Sequence, residues 1–214
     1  TTAQIRALTT DTQVPALLST QLNAMTSTQV AALSNTQATA LTTLQAANLG
    51  TLQAASLTAA AIAAMDVADV TALSTAAVAA MSTDQIRALT TGDDGQIVGL
   101  TTAQVAGLKT AQVAALTTAQ VAALTADQLK VLSTNQVVAL STAQVAGLTT
   151  DQLTSLTTTQ LSEIETRDLV ALTAAKVATL TTDQVSALKV SQLGAMTTAQ
   201  VSGMSTDQVS TLTT

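Results

Sequence analysis

A period of eight restricts this chain's folds more than any other feature. Residues 109–124 read KTAQVAALTTAQVAAL, one phrase said twice. Aligned on its glutamines, the sequence resolves into 26 octads running from Thr1 to Leu212. Two interruptions break the period: an extra residue at Thr9 and a three-residue insertion within residues 90–100. Position four is Gln in 21 of the 26 copies, so the alignment rests on a frequent marker. Position five is apolar in every copy, and position eight is Leu, Met or Ile in every copy. Position one is mostly Thr or Ser, and position seven is nearly always small. Positions three and six vary and carry most charges, among them Asp84, Asp127, Arg87 and Lys130. Five and eight therefore face inward, while three and six face water.

The apolar spacing alternates three and five, whereas a strand needs two. One continuous helix also fails. At about 100° per residue, eight residues turn about 800°, so an apolar stripe drifts about 80° per copy. No gently supercoiled bundle absorbs that drift. What remains is a helix that stops and restarts in every octad. Thr or Ser at one with Gln at four is a capping box, and the Leu before it with the Val after it forms a hydrophobic staple. Helices this short are unstable alone in water, so they must stack as a solenoid. The expected fold is all-α: a solenoid or superhelix of very short capped helices, one per octapeptide. Residues 1–214 form a single array, irregular at 9–18 and 90–96, with two or three octads per coil.

Val105, Leu108, Val113, Leu116, Val121, Leu124, Val137, Leu140, Val145 and Leu148 are the expected core seam. Thr101 and Thr117 cap helices, together with Gln104, Gln112, Gln120, Gln128, Gln136 and Gln144. Stacking brings these glutamines into rows. A row of Glu would repel itself, whereas amides hydrogen-bond along the row. A small residue at seven lets neighbouring helices approach closely.

Composition narrows the function. The chain has no Phe, Tyr or Trp although 47% of it is hydrophobic, which fits a thin core of uniform width. It has no His and no Cys, so imidazole bases, thiolate nucleophiles and their metal sites are excluded. Ser and Thr are assigned to caps, and no Gly-rich phosphate loop occurs. The expectation is a chain that is not an enzyme, with no cofactor and no small-molecule substrate. A net charge of −6 argues against nucleic acid as a partner. No apolar run reaches the length of a membrane span, so no membrane insertion is expected. Few lysines, net acidity and no cysteine suit an exported bacterial protein. Opening on Thr1 rather than Met fits a processed or excised piece.

Departures from the phrase carry their own readings. Residues 38–81 are rich in Ala, and Gln is replaced at Ala61, Asp69 and Ala77; this is drift within the array or a contact patch for another subunit. Pro15 removes a backbone donor and should disturb its helix. Asp93 and Asp94, between Gly92 and Gly95, are weak candidates for a Ca²⁺ site. They lack the full spacing of a calcium loop and read as a solvated turn. Glu163, Glu165, Arg167 and Asp168 read as solvated ion pairs rather than as the paired carboxylates of a glycosidase. The five methionines stand in for Leu at position eight.

Runs of Thr-Thr-x-Gln-Val-x-Ala-Leu resemble the long repetitive regions of large bacterial surface proteins of the adhesin type. That resemblance implies an extracellular or cell-surface location and a structural or adhesive role, and it carries over no catalytic residue. The expected function is a structural protein forming a fibre, filament or stalk, self-associating end to end or laterally. An adhesin-type binding module, including one with an ice-binding face, is the alternative. An artificial consensus array is opposed by drift among copies and by the two irregularities. Neither end has a polar cap of the kind solenoids need. The array therefore extends further, or copies stack.

Overall fold

The computed structural model describes residues 1–213. Those residues hold 25 α-helices of four to six residues and no strand. Thr118–Ala123 shows how one octad folds. The Thr117 hydroxyl accepts from the Gln120 backbone N–H at 3.1 Å, and the Thr117 N–H donates to Gln120 Oε1 at 2.9 Å. Val121 N–H donates to the Thr117 carbonyl at 3.0 Å, and Leu124 N–H closes the end on the Val121 carbonyl at 3.2 Å. Leu124 (φ −60°, ψ 138°) and Thr125 (φ −71°, ψ 160°) then make the corner. Two extended residues suffice, so the left-handed glycine that commonly ends a helix is not needed. Among the described residues only Gly92 has a positive φ.

The chain divides into two compact units, Thr1–Leu116 and Thr117–Thr214. Within each, a helix packs against the helix three octads along: Asn35–Thr39 against Ala59–Ala64, and Thr118–Ala123 against Thr142–Gly147. Hydrogen bonds also reach four octads back, as described below. One coil therefore holds between three and four octads, at or just above the upper end of the two or three expected. Each octad buries three side chains rather than two, because position four also points inward.

From Leu22 to Leu188, every position-five and position-eight residue is buried, including all ten expected seam residues. Ala38, Ala46 and Ala54 are fully buried at position five.

Both irregularities fall in one slot, between the N-cap and the Gln. Thr9 is itself a cap. Its N–H donates to Gln13 Oε1 at 2.9 Å, and Gln13 N–H donates back to Thr9 Oγ1 at 3.3 Å, across four residues instead of three. Thr90 and Gln96 close the same pair of bonds across six, at 3.1 and 3.0 Å. The surplus residues loop outward while cap and core keep their places. The larger loop needs Gly92 for its φ of +120° and Gly95 for space, since a Cβ there would lie 2.6 Å from the Thr91 carbonyl carbon. Residues 10–17, which contain Pro15, form turns rather than an α-helix. Val14 nevertheless reaches full burial.

Candidate functional site

The arrangement that repeats through the array is a glutamine clamp. Gln152 uses its Oε1 to accept from the Thr149 N–H at 2.9 Å, completing its own cap. Its Nε2 donates to the carbonyls of Val121 at 2.9 Å and Leu124 at 2.7 Å. Those carbonyls belong to positions five and eight of the octad four places back. Helix C-termini leave carbonyls without intrahelical partners, and burying such a group unpaired is costly. One amide therefore satisfies the start of its own helix and the end of another. Gln160, Gln184, Gln192, Gln200 and Gln208 repeat the pattern in the second unit. Each is no more than 4% exposed.

In the first unit the clamp holds through the insertions. Gln104 reaches Val70 and Leu73, and Gln112 reaches Val78 and Met81, across 34 and 31 residues rather than 31 and 28. Gln37 reaches Ile5 and Leu8 across the extra residue, at 32 and 29. The register counts octads, not residues. Gln120, Gln128, Gln136 and Gln144 are equally buried and accept from the N–H of Thr117, Thr125, Ser133 and Ser141.

This corrects the expectation of an amide row. The Nε2 groups of Gln152 and Gln160 donate to backbone carbonyls, not to other glutamines. A clue stood in the sequence. Glu serves a capping box as well as Gln, yet no octad carries Glu at position four. A carboxylate accepts at the cap but has no proton to donate to two carbonyls. Thr101 caps Gln104 as expected, at 3.1 Å. Lys109, Leu18 and Lys189 lack an accepting hydroxyl and keep only the Gln half of the box, at 2.7 to 2.8 Å.

The octads without Gln show substitutes. Lys176 Nζ donates to the Ala146 carbonyl at 2.5 Å, again four octads back. Asp168 accepts from the Thr142 hydroxyl at 2.5 Å, three octads back, and Asp69 takes a hydrogen bond from Thr43 in the same relation. Burial raises the Asp69 pKa, the Thr43 hydroxyl opposes the rise, and the nearby Asp66 adds to it. The charged cluster is only partly the solvated group expected. Arg167 pairs with Glu165 at 2.7 Å, and Lys189 with Glu163 at 3.0 Å, at the surface. Asp168 is instead 2% exposed, because position four points inward whatever occupies it.

Position seven also has a fixed neighbour, position two of the octad three back. A Cβ on Gly107 or Gly147 would lie 3.8 Å from the Cβ of Thr75 or Thr118. On Gly99 it would collide with Val67 Cγ1, so any larger residue there forces that side chain to shift.

Asp93 and Asp94 are exposed. Among the described residues no three His, Cys, Asp or Glu side chains gather as a metal site, no pocket is present, and no helix is long and apolar enough to cross a membrane.

Residues 62–93, 93–126, 126–158, 161–198 and 186–214 match the ALTTAQ repeat. This chain belongs to the ALTTAQ repeat family. The hexapeptide stands here as Ala115–Gln120. It spans the corner, from the end of one helix through Leu116 and the Thr117 cap to Gln120, which completes that cap. Each matched repeat spans several octads rather than one helix. No curated protein matches the chain.

Proposed function

We propose that this ALTTAQ repeat protein is a structural spacer, a fibre or stalk element whose length is set by its number of octads. The clamp carries this reading. Each clamping Gln takes its two long-range acceptors from four octads back, so added octads need no new design. Register survives insertions of one and three residues, which a spacer accumulating copies must tolerate. Stability in such arrays is a sum of unit and neighbour terms, which permits growth along one direction. The resemblance to bacterial surface repeats supports an extracellular or cell-surface setting, and protease shaving of intact source cells tests that part. An ice-binding face draws less support, since most position-one hydroxyls already accept backbone N–H groups.

X-ray scattering on chains lengthened by four, eight and twelve consensus octads tests the spacer. The reading expects the maximum dimension to rise by an equal step each time at constant cross-section. A radius growing only as the cube root of length would rule it out.

A further inference from the structure

We infer that the array contains a yielding turn: under tension, residues 26–57 part from residues 58–81 more readily than 58–81 part from the octads that follow. Its use under load rests on the spacer reading; the weak contact itself does not. Five octads lack Gln at position four, and three of them are consecutive, at Ala61, Asp69 and Ala77. One coil holds between three and four octads, so this gap runs round most of a turn. Octads 26–49, four places back, receive no glutamine clamp from these three. Two hydroxyl bonds cross the gap: Thr39 Oγ1 donates to the Ala64 carbonyl at 2.9 Å, and Thr43 bonds Asp69. The clamp resumes on either flank, where Gln53 holds Asn23 and Met25 and Gln85 holds Ala54 and Leu57. The other two exceptions, Asp168 and Lys176, are neighbours, but Lys176 Nζ supplies a donor to the Ala146 carbonyl. The interruption there is shorter than a coil.

The same three octads are fully held on their other side. Gln96 reaches Ile62 and Met65, Gln104 reaches Val70 and Leu73, and Gln112 reaches Val78 and Met81, at 2.7 to 3.1 Å. Packing follows the same division. Ala59–Ala64, Val67–Ala72 and Thr75–Ala80 lie between two sets of helices. Asn35–Thr39, Thr43–Ala47 and Thr51–Ser56 bring Ala38, Ala46 and Ala54 at position five. Thr83–Ala88, Gln96–Gly99 and Thr102–Ala106 bring Ile86, Ile97 and Val105. All six side chains are 0% exposed, so the alanine side removes less apolar area from water and gains less from it. Hydrogen bonds and buried area are thus both poorer on one face of the same three helices. Each part stays stacked on its own clamped neighbours, so the helices survive the opening. Such a turn lengthens a loaded spacer before its coils unravel elsewhere.

The two faces can be loaded separately. The full chain has no native Cys, so tweezer handles attach at introduced pairs of exposed residues. Thr28→Cys with Ala76→Cys spans the open face, and Ala60→Cys with Ala111→Cys spans the clamped face. The members of each pair stand six octads apart, at position three of their octads. At one constant force, the segment 28–76 should extend after a lifetime at least roughly tenfold shorter than the segment 60–111. Ala61→Gln/Asp69→Gln/Ala77→Gln, checked for unchanged helicity, should lengthen the first lifetime toward the second. Gln96→Ala/Gln104→Ala/Gln112→Ala should shorten the second toward the first, and decides the matter if the repaired chain does not fold. Equal lifetimes for the two segments, a longer one for 28–76, or no response of 60–111 to losing its glutamines would overturn the proposal. Equal lifetimes together with scattering lengths that rise stepwise would leave the spacer standing without its yielding turn. Unequal lifetimes with cube-root growth would keep the weak face and remove the spacer.

Discussion

Residues 58–81 and residues 149–164 fold the same octad with different connections. In 149–164, Gln152 and Gln160 each bridge to two carbonyls four octads back. In 58–81, position four is Ala61, Asp69 and Ala77, so no Gln clamp leaves these three octads. Helices form there regardless: Ala59–Ala64, Val67–Ala72 and Thr75–Ala80 are six residues each. The Thr58 and Ser74 hydroxyls still accept from Ala61 and Ala77 N–H, at 3.0 and 3.1 Å. Ile62, Val70 and Val78 are still buried. The helix therefore depends on the hydroxyl cap and the inward pair, whereas the glutamine joins one coil to another. The octads that go without are the acceptors four back, 26–49, which lie beside the turn-forming segment 10–17. Bonds from three octads away serve there instead, such as Asn23 Nδ2 donating to the Asn48 carbonyl at 2.7 Å.

Breaking the clamp where it is complete should have the largest effect. Gln152→Glu sets a buried carboxylate against the Val121 and Leu124 carbonyls, and should cost roughly 3–5 kcal/mol near neutral pH. The folded-state pKa of that Glu must lie above its unfolded value. Stability should therefore be highest below about pH 4 and fall as pH rises through the raised pKa. Urea titrations from pH 3 to 8 measure this. Gln152→Ala leaves two carbonyls and the Thr149 N–H without the amide, and should cost about 3 kcal/mol with little pH dependence. The same replacement at Gln4, whose Nε2 holds nothing, should cost less than about 1 kcal/mol.

Repairing the clamp where it is missing sharpens the contrast from the other side. Ala61→Gln and Ala77→Gln should each gain about 1 kcal/mol and slow amide exchange in 26–49 rather than in their own helices. Asp69 adds a pH signature. Its folded pKa is raised, so its contribution is most favourable below the unfolded value of about 3.9 and is lost as pH climbs through the folded pKa. Asp69→Asn should flatten that part of the stability profile. The smallest effect is expected at Lys109→Thr, which restores the hydroxyl half of one cap and should add about 0.5–1 kcal/mol without altering inter-coil protection.

These contrasts also show what could be read without coordinates. Cap and staple lie within one octad, three or four residues apart, so period and residue type revealed them, and Thr117, Gln120, Val121 and Leu124 stand where they were expected. The clamp spans 28 to 34 residues, and no local pattern announces that distance. Position four also points inward, and its polar side chain gives no local sign of that. Asp168 was read from its charged neighbours, Glu165 and Arg167, when its place in the octad governs its burial. Lys109 made the same point from the other direction, since Gln112, Val113 and Leu116 hold their places without a capping hydroxyl.

The central claim is that position-four side-chain amides are held by carbonyls of another coil. Hydrogen exchange of assigned Gln side-chain NH₂ groups by NMR addresses it directly. Both Nε2 protons of Gln152, Gln160 and Gln184 should exchange orders of magnitude more slowly than those of Gln4, Gln13, Gln21 and Gln29. Equal, fast exchange in both sets would contradict the account.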